Sequence, residues 1–272
     1  MPADIQQYAL DIDIPAKPDS LVRLSLLLAE DDVNLTAVGS LVESDMALAS
    51  AVMKAVNSSL YGLRGRVQSV QQAVTYLGLR EILGITFEMG LRAAFPPTAE
   101  MEPIWDRAGK RGLMMGRLGQ ALGLDAWAAH SAGLFEECGK AVLLRHSPQH
   151  YPAMLRAAAT DLDLCQIEDT GFGVSHDLLG ARLCESWGLG AAAVSCVRQH
   201  VAAQAMRELD GPAAHRGVLA LSVMAQAMMD KPDSSDEVAA LMAEQAALNP
   251  TQALRATRRL QEQLAEAVAN GR

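Results

Sequence analysis

The stretch Asp45-Met46-Ala47-Leu48-Ala49-Ser50-Ala51-Val52-Met53-Lys54-Ala55-Val56-Asn57 decides the fold class. Asp45 is a capping residue type, and Leu48, Val52, Met53 and Val56 recur three and four positions apart, which puts them on one helical face. Asn57 and Gly62 close this helix in a tight loop. Both residue types suit left-handed positions at a helix end, and Ser58 can bond local backbone, so the segment reads as a structural clasp. The same period spreads in both directions. Upstream, Leu35, Val38, Leu41 and Val42 repeat it. Before them a run from Leu21 to Leu28 follows Pro15, Pro18 and a cap at Ser20, and Asp31-Asp32 ends that run. Downstream, Ser69 caps Val70 to Leu77, and Gly78 breaks the chain ahead of the apolar run Leu79 to Leu91. Short helices following one another in this way predict a helical bundle with no sheet.

The composition agrees. Half of the 272 residues are hydrophobic, only 20% are charged and 4% are aromatic, so the chain can bury a sizeable core and is not intrinsically disordered. Its apolar content is mostly Ala, Leu, Val and Met, which suits packed helices better than a β-sandwich. Lys plus Arg number 23 against 32 Asp plus Glu, a net charge of −9 that argues against nonspecific nucleic-acid binding. Cys138, Cys165, Cys184 and Cys196 have neither CxxC spacing nor scaffold density and are expected to be reduced core thiols. No apolar run reaches the ~18 residues of a membrane span and no leader pattern opens the chain, so a cytoplasmic location is expected.

Phe95-Pro96-Pro97-Thr98 is the clearest punctuation, because consecutive prolines cannot continue a helix. Beyond it, longer helices are expected over Glu100 to Leu122, Ala126 to Leu144, Pro148 to Ala159, Ser175 to Trp187 and Ala191 to Arg207. Another runs from Pro212 to Met229. A solvated loop from Asp230 to Asp236 precedes two more, the last opened by Asn249-Pro250.

Catalytic signatures are missing from the sequence. It has no glycine-rich loop followed by Lys-Ser/Thr, no GxSxG and no HExxH, which excludes an ordinary NTPase or serine hydrolase. Gly171-Phe172-Gly173 reads as a loop. His146 and His150 are four apart, but Ser147-Pro148 interrupts any shared helix face and a third metal ligand is lacking. Lys140 reads as a surface or ion-pairing residue, and Arg64 with Arg66 makes a small basic spot.

A wider set of motifs resembles one family. Ile14-Pro15 through Asp45, Ala55-Val56-Asn57-Ser58-Ser59-Leu60-Tyr61-Gly62, Val67-Gln68-Ser69-Val70-Gln71-Gln72-Ala73-Val74 and Leu77-Gly78-Leu79-Arg80 are similar to HDOD, the HD-related output domain of bacterial signalling proteins. The likeness continues through Ala132-Gly133-Leu134-Phe135-Glu136-Glu137-Cys138-Gly139-Lys140, His176, Gly180, Trp187-Gly188-Leu189 and Val197-Arg198-Gln199-His200. It implies an all-α, two-lobed fold over residues 12–229, with lobes at 12–95 and 99–229 and C-terminal helices over 230–272.

The resemblance also locates a vestigial pocket. Catalytic members of the wider HD superfamily hold divalent metal with a His, an adjacent His-Asp pair and a later Asp. Those positions fall here on Arg107, Glu136-Glu137 and Gln226. A guanidinium is no metal ligand and keeps its charge, so an ion pair between Arg107 and Glu136 or Glu137 is expected in place of a metal. His176 and His200 match histidines that the family retains, and each reads as a core or helix-end histidine making one hydrogen bond. The resemblance therefore implies a noncatalytic signalling module without cofactor or metal, bound by other signalling proteins, with a nucleotide second messenger as a further candidate ligand. The groove between the lobes, the C-terminal helices and the loop Asn57, Ser58, Tyr61, Gly62, Arg64 and Arg66 are its candidate surfaces. A homodimer through the C-terminal helix stays open. The alternative is a divergent metal-dependent phosphohydrolase acting on a nucleotide or cyclic dinucleotide.

Overall fold

A computed structural model describes residues 12–28, 35–58 and 67–270. All regular structure among them is helical, as the resemblance implied, and no strand occurs among the described residues. The chain divides into two compact units, one of residues 12–16 and 95–258, the other of residues 17–94 and 259–270.

The unit beginning at residue 17 holds α1 (Asp19–Leu28), α2 (Leu35–Glu43), α3 (Met46–Val56), α4 (Val70–Leu77) and α5 (Leu79–Ala93). Helix α5 touches all four others and buries Ile82, Leu83, Ile85, Phe87 and Leu91. Asp45 accepts the backbone N–H groups of Ala47 and Leu48, and Ser69 accepts that of Gln72. Such caps are worth about 1 kcal/mol each. Two local expectations are corrected. Helix α1 starts at Asp19, so Ser20 lies inside the first turn, where the Pro18 carbonyl takes the early N–H groups. Asn57 has φ −85° and is not left-handed. It closes α3 through its side chain instead, whose Nδ2 donates to the Met53 and Val67 carbonyls at 3.0 Å.

The larger unit holds α6 (Glu102–Ala121), α7 (Ala126–Phe135), α8 (Cys138–His146), α9 (Tyr151–Ala157), α10 (Asp161–Phe172), α11 (His176–Ser186), α12 (Ala191–Met206), α13 (Ala213–Asp230), α14 (Ser235–Gln245) and the first part of α15 (Pro250–Asn270). Residues 12–16 are tied to it where Trp187 Nε1 donates to the Pro15 carbonyl at 2.8 Å. All four cysteines are free and buried. No helix among the described residues is long and apolar enough to cross a membrane.

Three sequence expectations change here. The single helix expected over Ala126 to Leu144 is two helices, broken at Glu136-Glu137, where φ, ψ drift to −90°, −11° at Glu137. Both carboxylates are drawn to buried cations at this break. Helix α10 lies where no helix was expected. Its signal is the reciprocal capping box of Thr160 and Asp163, with Gly173 left-handed at φ 71° at its end. A short 3-10 turn, Pro232–Ser234, falls inside the stretch read as a solvated loop.

Two glycines permit the close crossings that build the interior. A Cβ on Gly133 would sit 2.9 Å from the Arg111 carbonyl carbon and oxygen and from the Gly112 Cα, so α7 and α6 meet backbone to backbone. A Cβ on Gly139 would lie 1.8 Å from the His176 carbonyl oxygen, which locks the start of α8 against α11.

Candidate functional site: a closed ion-pair network in the HD-like unit

Arg107 and Arg111 are four apart on α6 and so share one helical face. The crossing at Gly133 sets that face against the Glu136-Glu137 break. Arg111, fully buried, donates from Nη1 to Glu136 Oε2 at 2.5 Å, approaches Glu137 Oε1 at 3.3 Å, and donates from Nη2 to Gln226 Oε1 at 2.5 Å. Arg107 sits nearer the surface. It donates to Glu137 Oε1 at 3.0 Å, to Gln226 Oε1 at 2.9 Å, and with both terminal nitrogens to Asp230 at 2.9 and 3.0 Å. Lys140, in the first turn of α8, bridges Glu137 Oε2 at 2.9 Å and Asp161 Oδ1 at 2.8 Å. Gln204 of α12 donates to Glu136 Oε2 at 3.0 Å and to Ser222 Oγ at 2.9 Å. Three cations and four carboxylates thus form one network, stitched by two amides.

The sequence reading brought Arg107, Glu136, Glu137 and Gln226 to one place, and the geometry puts them there. Lys140 takes the ion-pairing half of its reading and not the surface half, because it is buried. Arg111, Asp161, Gln204 and Asp230 were missed. Arg111 and Asp230 stand one helical turn from Arg107 and Gln226, and that spacing is the signal that could have found them.

Electrostatics follow the contacts. Burial by itself would raise the Glu137 carboxyl, but Lys140 and Arg111 outweigh it and hold the group down to about 2. Burial likewise works against Asp161, and the Lys140 ammonium, followed by His176, still pulls its carboxyl below the usual range. Lys140 is pushed up by Glu137 and Asp161 against its own desolvation. Glu137, Asp161 and Lys140 are therefore charged at neutral pH. Cutting one member of such a buried pair costs roughly 3–5 kcal/mol.

His176 and His200 lie together beside the network, close enough to act on Asp161 and, for His200, on Glu136, with ring centroids 5.7 Å apart and edge to face. His200 Nδ1 donates to the Val197 carbonyl at 2.7 Å, and burial lowers its pKa. His176 opens α11. Its backbone N–H and its Nδ1 both donate to Glu168 Oε2 at 2.7 Å, while Tyr151 Oη donates to Glu168 Oε1 at 2.5 Å. The interrupted pair stays dispersed in role: His150 Nδ1 contacts Ser147 Oγ at 3.2 Å, and His146 faces the edge of Phe172. Of the candidate loop surface, Tyr61, Gly62, Arg64 and Arg66 lie outside the described residues.

These donors do not fit the divalent metal of catalytic HD proteins. The Arg111 guanidinium bridges Glu136 and Glu137, and each Glu137 oxygen accepts from a further cation, Arg107 at Oε1 and Lys140 at Oε2. A cavity of about 740 Å³ lies over the network, lined by Arg107, Lys140, Asp161, Gln204, Gln226 and Asp230 among others.

The family comparisons agree with this architecture. A protein of Treponema pallidum (strain Nichols) without an assigned function is 27% identical over 192 residues, covering 69% of this chain and 37% of that protein's length. The fold matches a crystal structure from Shewanella amazonensis SB2B, provisionally named a phosphohydrolase, at TM-score 0.70 with 16% identity over 99% of this chain and 98% of that one. It also matches a structure from Marinobacter aquaeolei VT8, provisionally named a signal transduction protein, at TM-score 0.72 with 21% identity over 96% of this chain and 60% of that one. The sequence model of the HDOD domain matches residues 14–203, and the chain belongs to the HDOD domain family.

Proposed function

We propose that this protein is a noncatalytic signalling or regulatory module that works by binding another signalling protein. The observation that carries the reading is the closed network itself. Where a hydrolase of the HD superfamily would gather imidazoles and carboxylates around a metal-bound water, this chain has Arg107, Arg111 and Lys140 paired with Glu136, Glu137 and Asp161. The name of the Marinobacter relative points the same way, and that of the Shewanella relative marks the rival activity. The cavity over the network is within the usual 300–1,000 Å³ of ligand pockets, which supports a small ligand, such as a nucleotide, as a second mode of control. Four unpaired buried cysteines suit a reducing compartment, in keeping with a cytoplasmic module.

The test is hydrolysis. Purified protein with Mn²⁺ or Mg²⁺ should leave bis(p-nitrophenyl) phosphate and a cyclic dinucleotide uncleaved above a protein-free blank. Turnover that disappears in Glu137→Gln would establish the phosphohydrolase instead.

A further inference from the structure

Outside that network, one cluster of side chains has no part in the proposed function. Helix α10 carries Cys165 and Glu168 three apart on one face. After the left-handed turn at Gly173 the chain returns, and His176 and Asp177 begin α11 beside them. Ligand atoms of Cys165, Glu168 and His176 all lie within 4.8 Å of one another, the only such Cys/His/acid group found among the described residues. Cys165 Sγ is 3.7 Å from His176 Nδ1 and 3.8 Å from Asp177 Oδ1. We propose that Cys165, Glu168 and His176 form a three-residue binding site for a borderline transition-metal ion of the zinc class, with the fourth position left to solvent.

The distances suit this use. With Zn–S of about 2.3 Å and Zn–N or Zn–O of about 2.0–2.1 Å, a tetrahedral ion separates sulfur from nitrogen or oxygen by roughly 3.5 Å and nitrogen from oxygen by roughly 3.3 Å. The 3.7 Å between Cys165 Sγ and His176 Nδ1 is already within a few tenths of an ångström of that. The 2.7 Å contact between His176 Nδ1 and Glu168 Oε2 must open by about 0.6 Å. The mixed thiolate, imidazole and carboxylate set favours zinc over magnesium or calcium, which select all-oxygen sites.

Outer support is also in place. Tyr151 Oη holds Glu168 Oε1, the kind of partner that orients a metal-binding carboxylate. The His176 Nε2 is buried without a hydrogen-bond partner. Metal binding balances simply: the Cys165 thiol proton leaves to solvent, and the imidazole proton moves from Nδ1, which then binds the ion, to Nε2. Cys165 is 9% exposed and Asp177 partly exposed, so the ion has a short path from solvent. The site does not use Glu136 or Glu137, so it stands whether or not the noncatalytic reading does.

Cobalt tests it, because thiolate ligation to Co²⁺ gives a charge-transfer absorption that carboxylate or imidazole ligation does not. Metal-free protein titrated with Co²⁺ should develop that band with a stoichiometry near one and lose it when Zn²⁺ is added. Cys165→Ser should abolish the band, and Tyr151→Phe should weaken the affinity roughly 10–100-fold. Glu137→Gln should leave it unchanged. Far-ultraviolet circular dichroism confirms that each variant is folded. A wild-type protein without the band, or a band that survives in Cys165→Ser, overturns the proposal.

Discussion

Replacing Arg111 by Met keeps most of the side-chain volume while removing the one fully buried cation that touches Glu136. Glu136 would then keep only a Gln204 amide at 3.0 Å and a weak Cys196 thiol contact at 3.7 Å, with its charge at 0% exposure. Glu137 would keep Arg107 and Lys140. The expected loss is roughly 3–5 kcal/mol, the cost of stranding a buried charge. At about 2–4 °C per kcal/mol for a unit of this size, the melting temperature should fall by roughly 6–20 °C. Trp105, Trp127 and Trp187 all lie in the larger unit, so tryptophan fluorescence during urea unfolding reports on it alone. Arg198→Ala is the control. Its pair with Glu185, at 44% and 53% exposure, should be worth about 0–1 kcal/mol. Adding Glu136→Gln to Arg111→Met should restore part of the loss, since the stranded charge is then gone. If Arg111→Met costs no more than Arg198→Ala, the network is not what holds this region and the reasoning fails.

Gly133→Ala should destabilise by about 1–3 kcal/mol, because the added methyl meets the backbone of Arg111 and Gly112 at 2.9 Å, whereas Gly190→Ala, which meets no atom within 4 Å and loses only the N-cap preference for Gly over Ala at the start of α12, should cost less. Urea midpoints of the two variants check this. Thr160→Ala should cost about 1 kcal/mol by removing the capping box of α10, measured the same way. Acid titration of stability should show two effects. Burial lowers the His200 pKa, so its contribution is full above the unfolded value of about 6.5 and is lost as pH falls through the folded one. The Glu137 carboxyl, held down to about 2 against its burial by Lys140 and Arg111, contributes fully above about 4.3 and loses its contribution as pH falls toward 2. Glu137→Gln should flatten the lower limb and leave the upper one.

The sequence was informative where local rules and burial coincide. The caps at Asp45 and Ser69 act as their residue types predict, and the apolar periods of α2, α3 and α5 match buried faces. It misled where long-range charge overrides local preference. Nothing in the apolar run from Ala126 to Leu144 announces a break at Glu136-Glu137, because the cause is Arg111, Arg107 and Lys140 arriving from elsewhere in the chain or from across the turn. Helix α10 was passed over because four acids and Gly171 dilute its apolar period, although Thr160 and Asp163 spell its start. The cluster of Cys165, Glu168 and His176 depends on a reversal at Gly173, and single-sequence spacing gave no reason to pair a Cys with a His eleven residues on.

The most direct test of the central claim is Mn²⁺ binding to the Cys165→Ser protein, followed by electron paramagnetic resonance of the free ion. With the zinc-type site disabled, the candidate tested is the space between α6, α8 and α13 filled by Arg107, Arg111, Lys140 and Gln226. The account predicts no tight Mn²⁺ uptake, and the same free-ion signal for Cys165→Ser with and without Glu137→Gln. One equivalent of bound Mn²⁺ that is released by Glu137→Gln would contradict it.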